Sequence, residues 1–528
     1  SWDYPGYFDV YLIDVATGER RRMLEKIQSG ASLSPEARYL TWWDRDELAW
    51  HAMATENGSP VNLTAALPHP VHNEQHDWPY KPNPYGNAGW TEDDAAFLVY
   101  DKHDIWAVDP TGSQPPRTVT ESRGRADNLR FRYVKLDPDE QAIDPDAPLL
   151  LSAFHLATRA DGFYRDRIAG NQEPTRLIIE GRRFSTPKKA DDADRLLFTR
   201  ESFVEFPNLW VSDLDLDDRQ QVTDANPQQK DYLWGTVEQI SWTSVDGTPL
   251  DGLLYKPEDF DAQRHYPMMV YFYEKNADNL HRHHAPEPHR SVINITFYTS
   301  RGYVVFVPDI VYKTGYPGES AMQSVMPGVT EVMKRGFVDP DRIGVQGHSW
   351  GGYQIAYMVT RTNLFRAAEA GAPVANMVSA YGGIRWGSGM SRMFQYEQTQ
   401  SRIGGSLWEY PMRYLDNSPI FRADHIETPL LIMHNDHDGA VPWYQGIELF
   451  VALRRLGKPA WMINYNNEPH WPTTYPNKRD WAIRMQQFFD HYLMGTPAPR
   501  WMEEGVPAVE KGTTLGLKPV EEPATSSQ

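Results

Sequence analysis

Residues Arg342 to Tyr353 read Arg-Ile-Gly-Val-Gln-Gly-His-Ser-Trp-Gly-Gly-Tyr, a short apolar strand running into Gly347-His348-Ser349-Trp350-Gly351. This G-x-S-x-G spacing is a nucleophile elbow, a strand-turn-helix corner that leaves a serine exposed in a strained backbone conformation. Small residues are needed two positions before and after the serine, where a side chain would strike the neighbouring strand or helix. Ile343 to Gln346 suit a buried strand and Tyr353 to Thr360 suit a helix, which is the context the motif requires. A chain with such a corner is expected to build a parallel sheet wrapped by helices and to use Ser349 as a nucleophile.

The rest of the chain divides into two rhythms. Up to about residue 236, short runs rich in Val, Leu, Tyr and Trp alternate with Asp, Gly, Pro and Asn turns, an all-β pattern. A phrase recurs at Val10 to Gly18, Asp104 to Gly112 and Asn208 to Asp215, spaced as alternate propeller blades would be. A second phrase, at Ser34 to Leu40 and Trp90 to Leu98, reads as a polar turn opening a strand. Residues 1–236 are therefore expected to form a partial β-propeller of about four blades plus the outer strands of another, with a propeller segment missing at the N-terminal side. From Val237 strands and helices alternate, and residues 237–496 are expected to form a doubly wound, mostly parallel α/β domain. Residues 497–528, rich in Pro, Glu, Thr and Ser, read as a mobile or surface-bound tail.

A serine hydroxyl needs a base to take its proton, and the base needs a carboxylate to hold its tautomer. On an elbow fold these follow in the order Ser, Asp, His on loops after later strands. Pro429 to Pro442 is a strand ending in Asn-Asp-His-Asp-Gly, with Asp436 and Asp438 as candidate acids. Trp461 to His470 is a second strand ending in a polar loop with His470 at its tip. His437 is too close to the acid to serve as base, and His491 falls inside a helix.

These phrases resemble the catalytic domain of the prolyl oligopeptidase family of serine peptidases, nearest to bacterial dipeptidyl and acylaminoacyl peptidase-like members. The matching stretches are Tyr266 to Tyr273, Gly347 to Tyr353, Leu430 to Val441 and Asn467 to His470, in family order across most of residues 237 to 495. The resemblance implies an α/β-hydrolase domain preceded by a propeller and selects Asp438 as the acid. It implies an oxyanion hole made by the Trp350 N–H and the Tyr273 hydroxyl, with Tyr271 as the rival tyrosine. It implies a substrate pocket lined by Trp350, Val374, Met377, Tyr381 and Val441. This chain departs from the family at Ala440, where Arg or Asn often stands, and at Met377 and Ala380, which weakens any inference of strict post-proline cleavage.

The expected activity is hydrolysis of peptide bonds in oligopeptides through Ser349, Asp438 and His470, with access gated by the propeller. An esterase or amidase using the same machinery, and a catalytically silent scaffold, are the alternatives. The formal charge of -19 argues against nucleic acid or an anionic membrane surface as partner. No run of 18 apolar residues occurs, so no membrane-spanning helix is expected. The absence of cysteine excludes disulfides and thiolate chemistry. The His281 to His289 run is read as an ordinary loop, without a metal, and no cofactor signature is found. Homo-oligomerisation is left open. The compartment is unassigned, with a periplasmic or secreted location slightly favoured over a cytoplasmic one.

Overall fold

The computed structural model describes residues 4–520. The chain divides into two compact units, one running through Pro227 and taking in His281–His283, the other built from Gln228–Leu280 and from His284 onward.

Unit 1 is a succession of antiparallel meanders. A two-stranded sheet, Phe8–Ile13 with Arg20–Ile27, is followed by four-stranded sheets that begin at Ala31–Leu33, Asn87–Trp90 and Leu129–Tyr133. A five-stranded sheet beginning at Arg183–Phe184 completes the set. Period-two alternation lets the three four-stranded sheets bury both faces. Leu40 and Trp42 pack with Val10 and Leu24 of the preceding sheet, whereas Trp43 and Ala52 pack with Trp90 and Val99 of the following one. Leu151 and Leu150 divide in the same way, toward the preceding and following sheets respectively. The recurring sequence phrase is a strand closed by an aspartate turn. Asp14 accepts from Thr17 N–H at 2.8 Å, and Asp109 accepts from Thr111 N–H at 2.9 Å.

Unit 2 is built on eight strands, β1 (Thr236–Thr243), β2 (Pro249–Lys256), β3 (Tyr266–Tyr271), β4 (Val304–Pro308), β5 (Val338–His348), β6 (Ala367–Gly371), β7 (Leu430–Met433) and β8 (Ala460–Ile463). They pair in the order 1-2-4-3-5-6-7-8. The β1–β2 and β2–β4 ladders are antiparallel and all the others are parallel. Helices α1 (Pro317–Lys334), α2 (Trp350–Met358) and α3 (Tyr444–Arg455) are the main cross-connections, and α4 (Tyr475–Phe489) follows β8. The central strands are buried on both faces, as parallel strands between helical layers must be, and Met268, Val270, Val345, Ala368 and Ile432 are fully enclosed. The helix after the elbow begins at Trp350, earlier than the sequence pattern suggests, because the chain turns directly from Ser349 into its first turn.

Beyond α4 the chain folds back onto unit 2. Trp501 is buried, its indole donates to Gln487 Oε1 at 2.9 Å, and Arg484 Nη2 donates to Leu515 O at 3.0 Å. The described part of the tail is thus surface-bound, and residues 521–528 lie outside the described residues.

Candidate active site

Ser349 sits between β5 and α2 with φ 61° and ψ -115°, a conformation that costs a residue with a Cβ of order 1–3 kcal/mol. The surrounding backbone packs closely around it. A Cβ on Gly347 would stand 2.8 Å from the Gly351 carbonyl, and one on Gly351 would stand 2.8 Å from Phe272 O. Ser349 N–H donates to Gly371 O at 2.7 Å, fastening the corner to the end of β6.

The loop after β7 carries Asp438, buried at 5% exposure. One oxygen accepts from the N–H groups of Ala440 and Val441, both at 2.8 Å. The other meets His470 Nδ1 at 2.6 Å and His434 Nε2 at 3.3 Å. Burial opposes its charge, but the hydrogen bonds from His434 and His470 outweigh it and hold the carboxyl well below the usual range. The other candidate acid, Asp436, has a different task. It accepts from Asn466 Nδ2 at 2.8 Å and Asn467 N–H at 2.7 Å, tying the acid turn to the loop after β8.

That loop is held by Glu468, which is nearly enclosed and takes five donors: the N–H and hydroxyl groups of Thr473 and Thr474, and Asn477 Nδ2, at 2.5 to 3.1 Å. Burial works against its charge, yet these donors bring its pKa down to about 2. Asn435 Nδ2 donates to Pro469 O at 2.9 Å, so the residue before His470 is fixed from the acid turn as well. His348, beside the serine, lies with its ring centroid 4.7 Å from that of His470. Burial, then the neighbouring His470, keeps His348 neutral, and it forms an uncharged wall.

Tyr273 lies two residues past the end of β3. Its hydroxyl accepts from Gln400 Nε2 at 2.9 Å and lies beside the Ser349 side chain. Its carbonyl accepts from Gln354 Nε2 of α2 at 2.9 Å. Burial raises its pKa although the ring as a whole is about a third exposed, so the hydroxyl stays a proton donor. Tyr271 remains in the strand ladder opposite Gln346. The Trp350 N–H belongs to the first turn of α2, where no acceptor exists within the helix. Val374, Met377, Tyr381 and Val441 form one apolar cluster with Trp350, Tyr353, Tyr396 and Tyr414.

Asp438 and His470 are in direct contact, the His348 ring lies against His470, and Tyr273 lies beside Ser349. His434, Gln400 and Glu468 have no prior place in the sequence reading. His434 carried a signal, standing four residues before the acid at the end of the same strand, whereas Gln400 lies in a stretch without periodicity or motif.

A family model described as "Prolyl oligopeptidase family" matches residues 288–496. The "Uncharacterized peptidase YuxL" of Bacillus subtilis is 27% identical over 293 residues, covering 52% of this chain and 42% of that protein. "Dipeptidyl-peptidase 5" of Porphyromonas endodontalis is 22% identical over 324 residues, covering 56% of this chain and 44% of that one. The chain thus spans less than half the length of these relatives. The solved dipeptidyl peptidase 4 of Porphyromonas gingivalis shares the fold, with a TM-score of 0.64 at 17% identity over 92% of this chain and 67% of that one. Residues 288–496 are a prolyl oligopeptidase family domain.

Proposed function

We propose that unit 2 is a serine peptidase domain that cleaves peptide bonds through an acyl-enzyme. The observation that carries this reading is the 2.6 Å contact between Asp438 and His470, in a site where the strained Ser349 lies beside the Tyr273 hydroxyl. Ser349 Oγ attacks the scissile carbonyl while His470 takes its proton, and Asp438 holds the ring through Nδ1 so that Nε2 is the base. The Trp350 N–H and Tyr273 hydroxyl stabilise the charge that develops on the carbonyl oxygen, each such donor contributing roughly 2.7–4 kcal/mol. His470 then protonates the leaving amine, and water releases the acid by the reverse sequence. The apolar cluster of Trp350, Val374, Met377, Tyr381 and Val441 is read as the lining for the side chain before the cut.

The successive sheets of unit 1, of which the four-stranded ones bury both faces, support reading it as propeller blades that restrict the substrate to flexible peptides. A fluorophosphonate probe is expected to label the wild-type chain and to leave Ser349→Ala unlabelled; equal labelling of the variant would sink the assignment. Turnover of short p-nitrophenyl esters with no peptide cut in a mixed library would favour the esterase reading instead.

A further inference from the structure

A hairpin of Ile384–Arg385 and Met390–Ser391 interrupts the helical crossover between β6 and β7 and is fastened to the acid turn. Gly387 N–H donates to Gly439 O at 2.8 Å. The two backbones meet so closely that a Cβ on Gly439 would stand 2.9 Å from Gly387 N. Arg392, fully buried, ties the base of the hairpin. Its N–H donates to Gly383 O at 3.1 Å, and its guanidinium donates to Ala440 O. The hairpin is thus carried by the same turn that carries Asp438.

This attachment gives Arg385 its surroundings. It is half-buried, and burial and the nearby Arg392 lower its pKa, while Asp438 and the Tyr273 hydroxyl act on it in the opposite direction. Among the described residues its guanidinium has no hydrogen-bond or ion-pair partner. Asp438 is not available to it, since both oxygens are taken by two backbone N–H groups and two histidines. Of the other acids around the site, Glu274 is held by Arg402 at 3.1 Å, and Glu397 accepts from the Tyr381 hydroxyl at 2.5 Å. A planar fork of donors is left uncompensated beside the residues assigned to the oxyanion and the triad, and such a fork matches a carboxylate in charge and shape.

We infer that Arg385 is a specificity-determining residue that binds a carboxylate of the substrate close to the scissile bond, an assignment that rests on the peptidase reading of the same site. The carboxylate comes either from an acidic side chain or from the end of a peptide chain. Matched peptides separate these sources, one pair differing as Glu or Gln beside the cut and another ending in a free carboxylate or a carboxamide. Two readouts are taken: kcat/KM with the wild-type chain, and affinity of the same peptides for Ser349→Ala by fluorescence polarisation. The charged member of one pair is expected to be preferred by about tenfold or more, the scale of a charge-assisted hydrogen bond. Arg385→Gln should bring that ratio near one, and Arg385→Lys should restore part of it. Equal affinity for charged and neutral peptides, or a preference that persists in Arg385→Gln, overturns the inference. If no peptide is cut yet Ser349→Ala keeps an Arg385-dependent preference, the peptidase reading fails and the carboxylate site stands.

Discussion

Tyr273 and Ser349 divide one strained corner between them. The serine is held by the Gly371 carbonyl behind it, and the tyrosine by Gln354 and Gln400 on either side, so neither group has to reorganise when charge develops. The Tyr273 hydroxyl is raised in pKa by burial and remains a donor throughout the neutral range. Tyr273→Phe removes that donor while keeping the ring. On the proposed mechanism, kcat on a peptide substrate falls about 10²- to 10³-fold while KM changes little, because the lost bond is made mainly in the transition state. A fall in kcat/KM through KM alone would place the hydroxyl in ground-state binding and remove it from the oxyanion hole.

Between elements, the decisive contact is the seating of α2 on β6. A Cβ on Gly352 would lie 2.2 Å from Gly371 O, the same carbonyl that accepts the Ser349 N–H. Gly352→Ala must therefore push the helix off the strand, with a stability loss of about 1–3 kcal/mol and slower fluorophosphonate labelling. Gly382→Ala, where nothing lies within 4 Å, should stay within about 0.5 kcal/mol of wild type in urea unfolding. A Gly352→Ala variant as stable and as fast to label as Gly382→Ala would contradict this packing. The same scale explains what the sequence could reveal. The elbow, the Asp438 turn and the His470 loop are local phrases at the ends of apolar strands, and β3 to β8 are short buried runs that periodicity detects. Asp436 and Asp438 look equivalent as residues. The family resemblance selects Asp438, and the pairing of two loops gives the physical difference, since Asp436 binds Asn466 and Asn467 whereas Asp438 meets His470. The hairpin at 384–391 escaped because its two-residue strands carry no period, and what locates it is a backbone contact with Gly439, distant in sequence.

At the scale of the whole molecule, a chain with 71 acidic and 52 basic residues places a few carboxyls where charge is unwelcome. Asp166 in unit 1 is the clearest: burial raises its pKa to about 7, with Arg167 N–H donating to one oxygen at 2.9 Å and no partner for the other among the described residues. The unfolded chain releases this proton near 3.8, so between about pH 4 and 7 the folded chain holds one proton more. Stability contributed by this group is present below pH 4 and is lost as pH rises to 7, by at most about 4 kcal/mol. Asp166→Asn keeps the shape and removes the titration. In urea unfolding at pH 4 the variant and the wild type should have similar midpoints, whereas at pH 8 the variant should be the more stable, with the gap opening across that window and constant above it. An equal gap at both pH values would mean that Asp166 is charged in the fold. Asp309 in unit 2, raised to about 6 by burial despite the N–H groups of Asn276 and Ala277, makes a smaller contribution of the same sign. The variant at Asp166 therefore recovers only part of the alkaline loss, because burial also raises Asp104, Asp161 and Glu201 in unit 1 and Glu369 in unit 2.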